Sequence, residues 1–381
     1  MVQIDAVGKR PEFPKGAEAD AAFHDLSYCP GAVVDARRIE SGKPQTAAEG
    51  EIGSVLEVWE GYATDQEIRF RGSSGGVLTA LALFSLERNH CDKVVHTGRN
   101  PDKPWMNSTV TSRDRQELLG RTGSRYAPSS PCEALGQIEQ AEGPCVFVGK
   151  PCDAAAASVL RDSRDALGRK LDVILSFFCA GTPAAYGAEN LIRKIGGAPK
   201  KVEAVDYRGE GWPGMFRVTE RGGAVRELTY EQSWAHLTSY RPLRCNLCPD
   251  GLARLADIAC GDAWHRYQDD GDPGRSLILV RTEKGRRLLA AAHAAGYVHL
   301  ERSNAQAVLE AQSGLVRRRK ELFGRLVALR ILRIPVTRFP GFDLRSAWMQ
   351  QSIRVKMKTL AGTLRRALQR GWWMRKSERS Y

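Results

Sequence analysis

The sequence has no apolar stretch long enough to cross a bilayer; its best run, VLTALALFSL over 77–86, is helix-sized and ends at Glu87. Its first 25 residues intersperse charges and prolines, without the apolar core or small-residue cleavage site of an export signal, so a cytoplasmic location is expected. The even, regular cysteine spacing of a disulfide framework is also missing. Nine cysteines at irregular intervals suit ligation or redox chemistry in a reducing compartment. No internal repeat or low-complexity tract is visible, and no nucleic-acid-binding module or interleaved aromatic patch, so nucleic acid is not an expected partner.

What the chain does have is an ordinary globular composition, 42% hydrophobic and 27% charged over 381 residues, enough for two domains or one large one. Its net charge of +13 is concentrated at one end: residues 317–381 hold 18 Lys/Arg against 3 Asp/Glu. The rest is near neutral. The final stretch, RVKMKTLAGTLRRALQRGWWMRKSERS, alternates apolar and basic positions at helical spacing and sets Trp372 and Trp373 beside Arg375 and Lys376. Such a segment suits peripheral contact with an anionic membrane surface or an acidic partner; the plainer reading is a solvated, partly disordered extension.

Residues 1–50 have little periodicity and read as an extended arm. From 51 to about 210, apolar runs such as KVVHTG (93–98), CVFVG (145–149) and LDVILSFF (171–178) alternate with helical patterns such as VLTALALFSLER (77–88) and AAYGAENLIRKI (184–195). Strand alternating with helix predicts an α/β layered body with a mixed, partly parallel sheet. VEAVDYR, MFRVTER and AVRELTY form a strand-rich insertion; SLILVRT then reads as a strand, and the segments 284–296 and 307–329 as helices. The expected divisions are the arm (1–50), the body (51–315, parted near 130) and a basic helical extension (316–381).

Cys245 and Cys248, in RCNLCPDG, are two thiols at CxxC spacing, half of a metal or cluster site. No second CxxC or CxxH stands nearby to complete a zinc knuckle. Cys152 in FVGKPCDAAA and Cys179 in SFFCAGTP follow predicted strands, and loops after the strands of an α/β sheet point to one edge, so these thiols can converge with the pair. Four thiolates fit zinc or an iron–sulfur cluster, and composition does not choose between them.

The glycine-serine stretch at 72–76 is neither a Walker loop nor GxGxxG. Instead RFRGSSGGVLTALALF sets Ser73, Ser74, Gly75 and Gly76 directly before a helix, where free backbone N–H groups can cradle phosphate; the alternative is a tight turn with Ser74 as a helix cap. A second loop, GRTGSRYAPSS (120–130), carries Thr122, Gly123, Ser124 and Tyr126 and can meet the same anion. The seven histidines show no paired spacing; His265, after GDAW, is the one candidate proton donor.

Taken in order, SSGGVLTAL, TGSRYAPS, FVGKPCDAAA, FFCAGTP, CNLCPDGLARLADIACGDAW and GRSLILVRTEKG resemble the coenzyme F420 hydrogenase/dehydrogenase beta-subunit family over roughly residues 50 to 315. The resemblance implies an FAD-binding α/β body with a [4Fe-4S] cluster close to the flavin. Electrons would pass from a one-electron donor, ferredoxin or another redox subunit, to a small-molecule two-electron acceptor. Cys152, Cys179, Cys245 and Cys248 would be the cluster ligands, the glycine-serine loops would hold FAD, and Gly261 and Asp262 would lie near it. A deazaflavin, a chlorophyll-type ring or a cell-envelope intermediate would each fit an open flavin face. Cys29, alone in YCPG, lacks the company a second cluster needs; Cys91, Cys132, Cys145 and Cys260 read as core or loop thiols, with Cys132 an alternative ligand. The competing reading is a non-catalytic, zinc-stapled accessory protein that docks through its basic tail.

Overall fold

A computed structural model describes residues 2–4, 9–11, 26–38, 46–268 and 271–369. Near the N-terminus β1 (Val2–Ile4) pairs with β2 (Lys9–Pro11). The body is organised by an eight-stranded sheet of β3 (Glu57–Ala63), β4 (Lys93–Arg99), β5 (Asn107–Ser112), β6 (Cys145–Gly149), β7 (Leu171–Phe177), β11 (Ile258–Asp262), β12 (Ser276–Val280) and β13 (Val298–Arg302). Its spatial order is β13-β3-β12-β11-β7-β6-β4-β5. The central four, β4, β6, β7 and β11, run parallel, and antiparallel strands flank them on both sides.

Period-two alternation explains why the sheet is covered on both faces. Phe147, Ile174, Ala259 and Leu279 point to one face, against Ala154 and Ala157 of the helix Pro151–Ser163. Val146, Leu175, Cys260 and Ile278 point to the other, against the helices Val77–Arg88 and Glu283–Ala294. A fully buried Leu, Ile or Phe contributes about 1.5–3 kcal/mol, so these two layers dominate stability. The mixed, partly parallel layered architecture expected from the sequence is therefore present.

The strand-rich insertion is a separate antiparallel sheet, β8 (Val202–Asp206), β9 (Met215–Glu220) and β10 (Val225–Thr229). Tyr207, Phe216 and Val218 pack it against the helix Ala185–Lys194.

Residues 316–369 are not a solvated extension. The helix Ser313–Ile331 places Leu322 and Leu326 in a cluster with Phe342, Leu344 and Val34, seated on Ala155 and Leu255 of the body. The arm joins it there: Val34 N–H donates to Arg338 O at 2.9 Å, and Arg338 N–H to Ala32 O at 2.9 Å. The last helix, Ile353–Gln369, packs on the same scaffold because Gly324 leaves room; a Cβ there would lie 2.6 Å from Thr359 Oγ1 and 2.7 Å from Trp348 Nε1. Trp372, Trp373, Arg375 and Lys376 lie outside the described residues. No helix among the described residues is long and apolar enough to cross a membrane.

Candidate functional site

The three parallel strands β6, β7 and β11 end at the same edge, and each is followed by a loop carrying residues singled out above. After β6, Pro151 occupies the first helical turn, where its missing N–H costs nothing, and Asp153 accepts the Lys150 backbone N–H at 3.1 Å. That places Cys152 at a helix start. After β7, the Cys179 N–H donates to Gly251 O at 2.8 Å, which draws the CxxC segment alongside. The short helix Leu243–Asn246 carries Cys245, and Cys248 follows it. Gly181 permits this closeness: its φ of +113° is left-handed, and a Cβ on it would lie 3.2 Å from Cys245 Cβ. Cys152, Cys179, Cys245 and Cys248 thus share one corner.

Burial raises the thiol pKa of Cys152 and of Cys179, the latter with Cys245 adding to the effect, and pushes Cys248 up to about 12. Cations oppose this. Lys150 and Arg244 act on Cys152, and Arg318 acts on Cys179 and Cys248. Arg318 donates to Cys179 O at 2.9 Å and to Ala180 O at 2.7 Å, and Arg241 donates to the same Ala180 O at 2.7 Å. The Gly181 N–H lies 3.4 Å from Cys179 Sγ, a donor suited to a thiolate. Among the described residues no three His, Cys, Asp or Glu side chains are placed to grip a single metal ion.

Next to this corner a cleft of about 260 Å³ opens between the loops. Its lining includes Ser73, Ser74, Gly76, Thr122, Gly123, Ser124, Tyr126, Gly261 and Asp262, and at one end Cys179. Nine of the ten expected cofactor-binding residues are therefore brought together. Gly75 is the exception; its φ of +71° and a would-be Cβ 3.0 Å from Arg275 Cα make it a turn residue packed behind the wall. Ser124 N–H donates to Ser73 Oγ at 2.7 Å, tying the two glycine-serine loops together. Gly76, left-handed at φ 72°, opens the helix Val77–Arg88 without a side-chain cap, so Ser74 is not the cap and the first-turn N–H groups are left for another acceptor.

Several lining residues escaped the sequence reading. Arg208, just beyond β8, reaches Asp262 with two hydrogen bonds, 2.7 and 3.0 Å, and Ser73 O with a third of 2.5 Å. Trp212 Nε1 donates to the same carboxylate at 2.8 Å. Asp262 stands in the cleft wall with its carboxylate already taken, and no local pattern links it to an arginine so far off in sequence. Lys150 stands half-buried in the wall, its Nζ 2.7 Å from Ser129 Oγ and 2.6 Å from Asp153 Oδ2; its only sequence signal was adjacency to Cys152. His96 also lines the cleft, with Nε2 2.8 Å from Ser112 Oγ, and burial together with nearby Arg121 lowers its pKa from 6.5 to about 4.

His265 is placed elsewhere. It sits in the turn Trp264–Arg266, its Nε2 lies 3.2 Å from Glu60 Oε1, and it is not among the cleft-lining residues. The turn after Asp262 aims this ring at the buried Glu60 carboxylate rather than into the cleft, so the structure does not bring the expected proton donor together with the other expected residues. Of the other thiols, Cys260 is buried in β11, and Cys132 Sγ lies 3.5 Å from Asp153 O on the Cys152 side.

The coenzyme F420 hydrogenase/dehydrogenase beta-subunit family matches the chain in two parts, its N-terminal portion over residues 58–136 and its C terminus over residues 144–306. A coenzyme F420 hydrogenase subunit beta from Methanosarcina barkeri is 26% identical over 256 residues, 64% of this chain and 81% of that protein. An F420-dependent formate dehydrogenase subunit beta from Methanocaldococcus jannaschii is 25% identical, covering 65% of this chain and 62% of its own. The fold is similar to that of a chain in the F420-reducing [NiFe] hydrogenase complex from Methanosarcina barkeri, with a TM-score of 0.56 and 20% identity over 70% of this chain and 91% of that one.

Proposed function

Since the chain belongs to the coenzyme F420 hydrogenase/dehydrogenase beta-subunit family, whose members are oxidoreductase subunits, we propose that it is an iron–sulfur flavoprotein. In this reading it takes electrons from a one-electron donor, ferredoxin or another redox subunit, and delivers them to a small two-electron acceptor. Cys152, Cys179, Cys245 and Cys248 hold a [4Fe-4S] cluster, and the cleft holds FAD. A cluster passes single electrons and a flavin stores two, which is the conversion such an enzyme needs.

The observation that carries this reading is the double position of Cys179: it belongs to the four-thiol corner and also lines the cleft. The donor set suits the group as well. Four soft thiols from three separate loops, with Lys150, Arg241, Arg244 and Arg318 around them, fit a cluster that carries negative charge once its thiolates are bound. The chain's own residues then divide the work. The uncapped helix start at Gly76, with Ser73, Ser74 and Ser124, takes the pyrophosphate of the flavin. Arg208 and Asp262 hold the wall in place, and Tyr126 and Trp234, ring centroids 4.8 Å apart, shield one side from water.

Anaerobically purified protein should show flavin absorption bands with a broad brown shoulder and about four irons per chain. Cys179→Ser should abolish the iron and the shoulder, whereas Cys29→Ala, in the arm, should leave both unchanged. Iron lost from the second variant and kept by the first would overturn the ligand assignment; a colourless protein holding one zinc would overturn the redox reading.

A further inference from the structure

The last helix is built inside out. Its buried face is Thr359, Thr363 and Ala367, small or polar residues spaced four apart, while Ile353, Met357 and Leu368 are exposed and Leu360 and Leu364 only half-buried. Among the described residues the five most exposed large apolar side chains all fall between residues 331 and 368: Ile331, Met349, Ile353, Met357 and Leu368, from 56% for Met349 to 75% for Ile353. At about 100° per residue, Ile353, Met357, Leu360, Leu364 and Leu368 lie along one stripe, and Arg354, Lys358 and Arg365 form an exposed basic stripe beside it. The sequence continues after Gln369 with Arg-Gly-Trp-Trp-Met-Arg-Lys. Folding alone does not explain this order of faces, because turning the helix by about a third of a revolution would bury Ile353, Met357 and Leu368 and expose the threonines.

We propose that this helix is a docking surface for an anionic lipid bilayer, lying in the headgroup plane with its apolar stripe inserted and its basic stripe against lipid phosphates. Charge complementarity selects the occupant: residues 317–381 hold 18 Lys/Arg against 3 Asp/Glu, whereas the rest of the chain is balanced. The helix is far too polar to span, and about 22 Å of stripe from Ile353 to Leu368 suits a surface contact. Ile353, Met357 and Leu368 would enter the acyl boundary, while the Thr359–Thr363–Ala367 face keeps the helix fixed to Ser313–Ile331, so the redox body is held at the membrane as one piece. This inference stands apart from the cofactor reading, since none of these residues lines the cleft or the thiol corner.

The test is co-sedimentation of the full chain with vesicles of phosphatidylcholine alone and with 30% phosphatidylglycerol, at low and at high salt. Binding is expected to the anionic vesicles and to weaken with salt. The triple variant Ile353→Ser/Met357→Ser/Leu368→Ser, all at exposed positions, should lower the partition coefficient by roughly a hundredfold. Arg354→Gln, Lys358→Gln and Arg365→Gln should each lower it about fivefold at low salt. Iron and flavin content should not change in any of them, which separates this failure from failure of the cofactor reading. No binding to either vesicle, or equal binding to both, overturns the proposal. So does a dimer in sedimentation that Met357→Ser converts to monomer without vesicle binding, which would assign the stripe to a second copy of the chain.

Discussion

The cleft and the thiol corner adjoin each other but balance charge in opposite ways. In the cleft the main ion pair is closed within the protein: Arg208, buried, faces Asp262 at 2.7 Å, and Trp212 satisfies the same carboxylate. At the corner, cations surround thiols that burial keeps protonated, and Arg241 is itself pushed down, first by burial and then by Arg318. The Arg208–Asp262 pair therefore needs no ligand to balance its charge. Of the corner's cations only Lys150 has a carboxylate partner among the described ion pairs, Asp153 at 2.6 Å, so in the proposed reading an anionic cluster would balance Arg241, Arg244 and Arg318.

The largest effect that can break this contrast is removal of the cation from the closed pair. Arg208→Met leaves the half-buried Asp262 carboxylate with Trp212 alone and no countercharge, and should destabilise the protein by about 3 kcal/mol in urea unfolding. Adding Asp262→Asn should recover part of that, because the amide oxygen still accepts from Trp212 and no charge is left stranded. If the two ends are independent, flavin content falls in the single variant while iron content holds. An equal fall in both would show that one scaffold supports both ends.

A pH series sharpens the same point at lower cost in energy. His96 is held neutral in the cleft wall, its pKa lowered from 6.5 to about 4 by burial and then by Arg121. The unfolded chain therefore binds the proton more readily than the folded one. The contribution of His96 is complete above pH 6.5 and is lost as pH falls through the interval down to about 4, by at most ~3 kcal/mol. Urea midpoints measured across that window should decline, and His96→Gln should flatten the slope.

How much of this was legible in the sequence depended on whether the cause was local. The helix 77–88 and the strand 145–149 were marked by runs whose ends coincide with Gly76, Asn89 and Gly149. The four cysteines and the glycine-serine loops were legible because strand ends in an α/β sheet share an edge. Strand β3 was not, because Glu60 breaks its apolar pattern; it is tolerated in the sheet only through Arg266, His265 and Ser303. Strand β5, NSTVTS, is a polar edge strand with no apolar run to betray it. Arg208 was hidden for a third reason: its partner lies 54 positions away, and the pairing exists only once the small sheet folds over the body.

His265 supplies the smallest expected effect and the sharpest control on where the site ends. Its Nε2 shares Glu60 with Arg266 Nε at 3.1 Å and Ser303 Oγ at 2.8 Å, so His265→Gln still leaves the buried carboxylate two partners. The cost should be no more than about 1 kcal/mol, that of one hydrogen bond whose acceptor remains satisfied. Flavin content, iron content and the rate at which the chemically reduced protein bleaches an artificial dye should match the parent. A tenfold loss of rate at unchanged stability would mean that the imidazole does reach the reacting atoms, and that the functional cavity extends past Asp262 to the far side of the Trp264 turn.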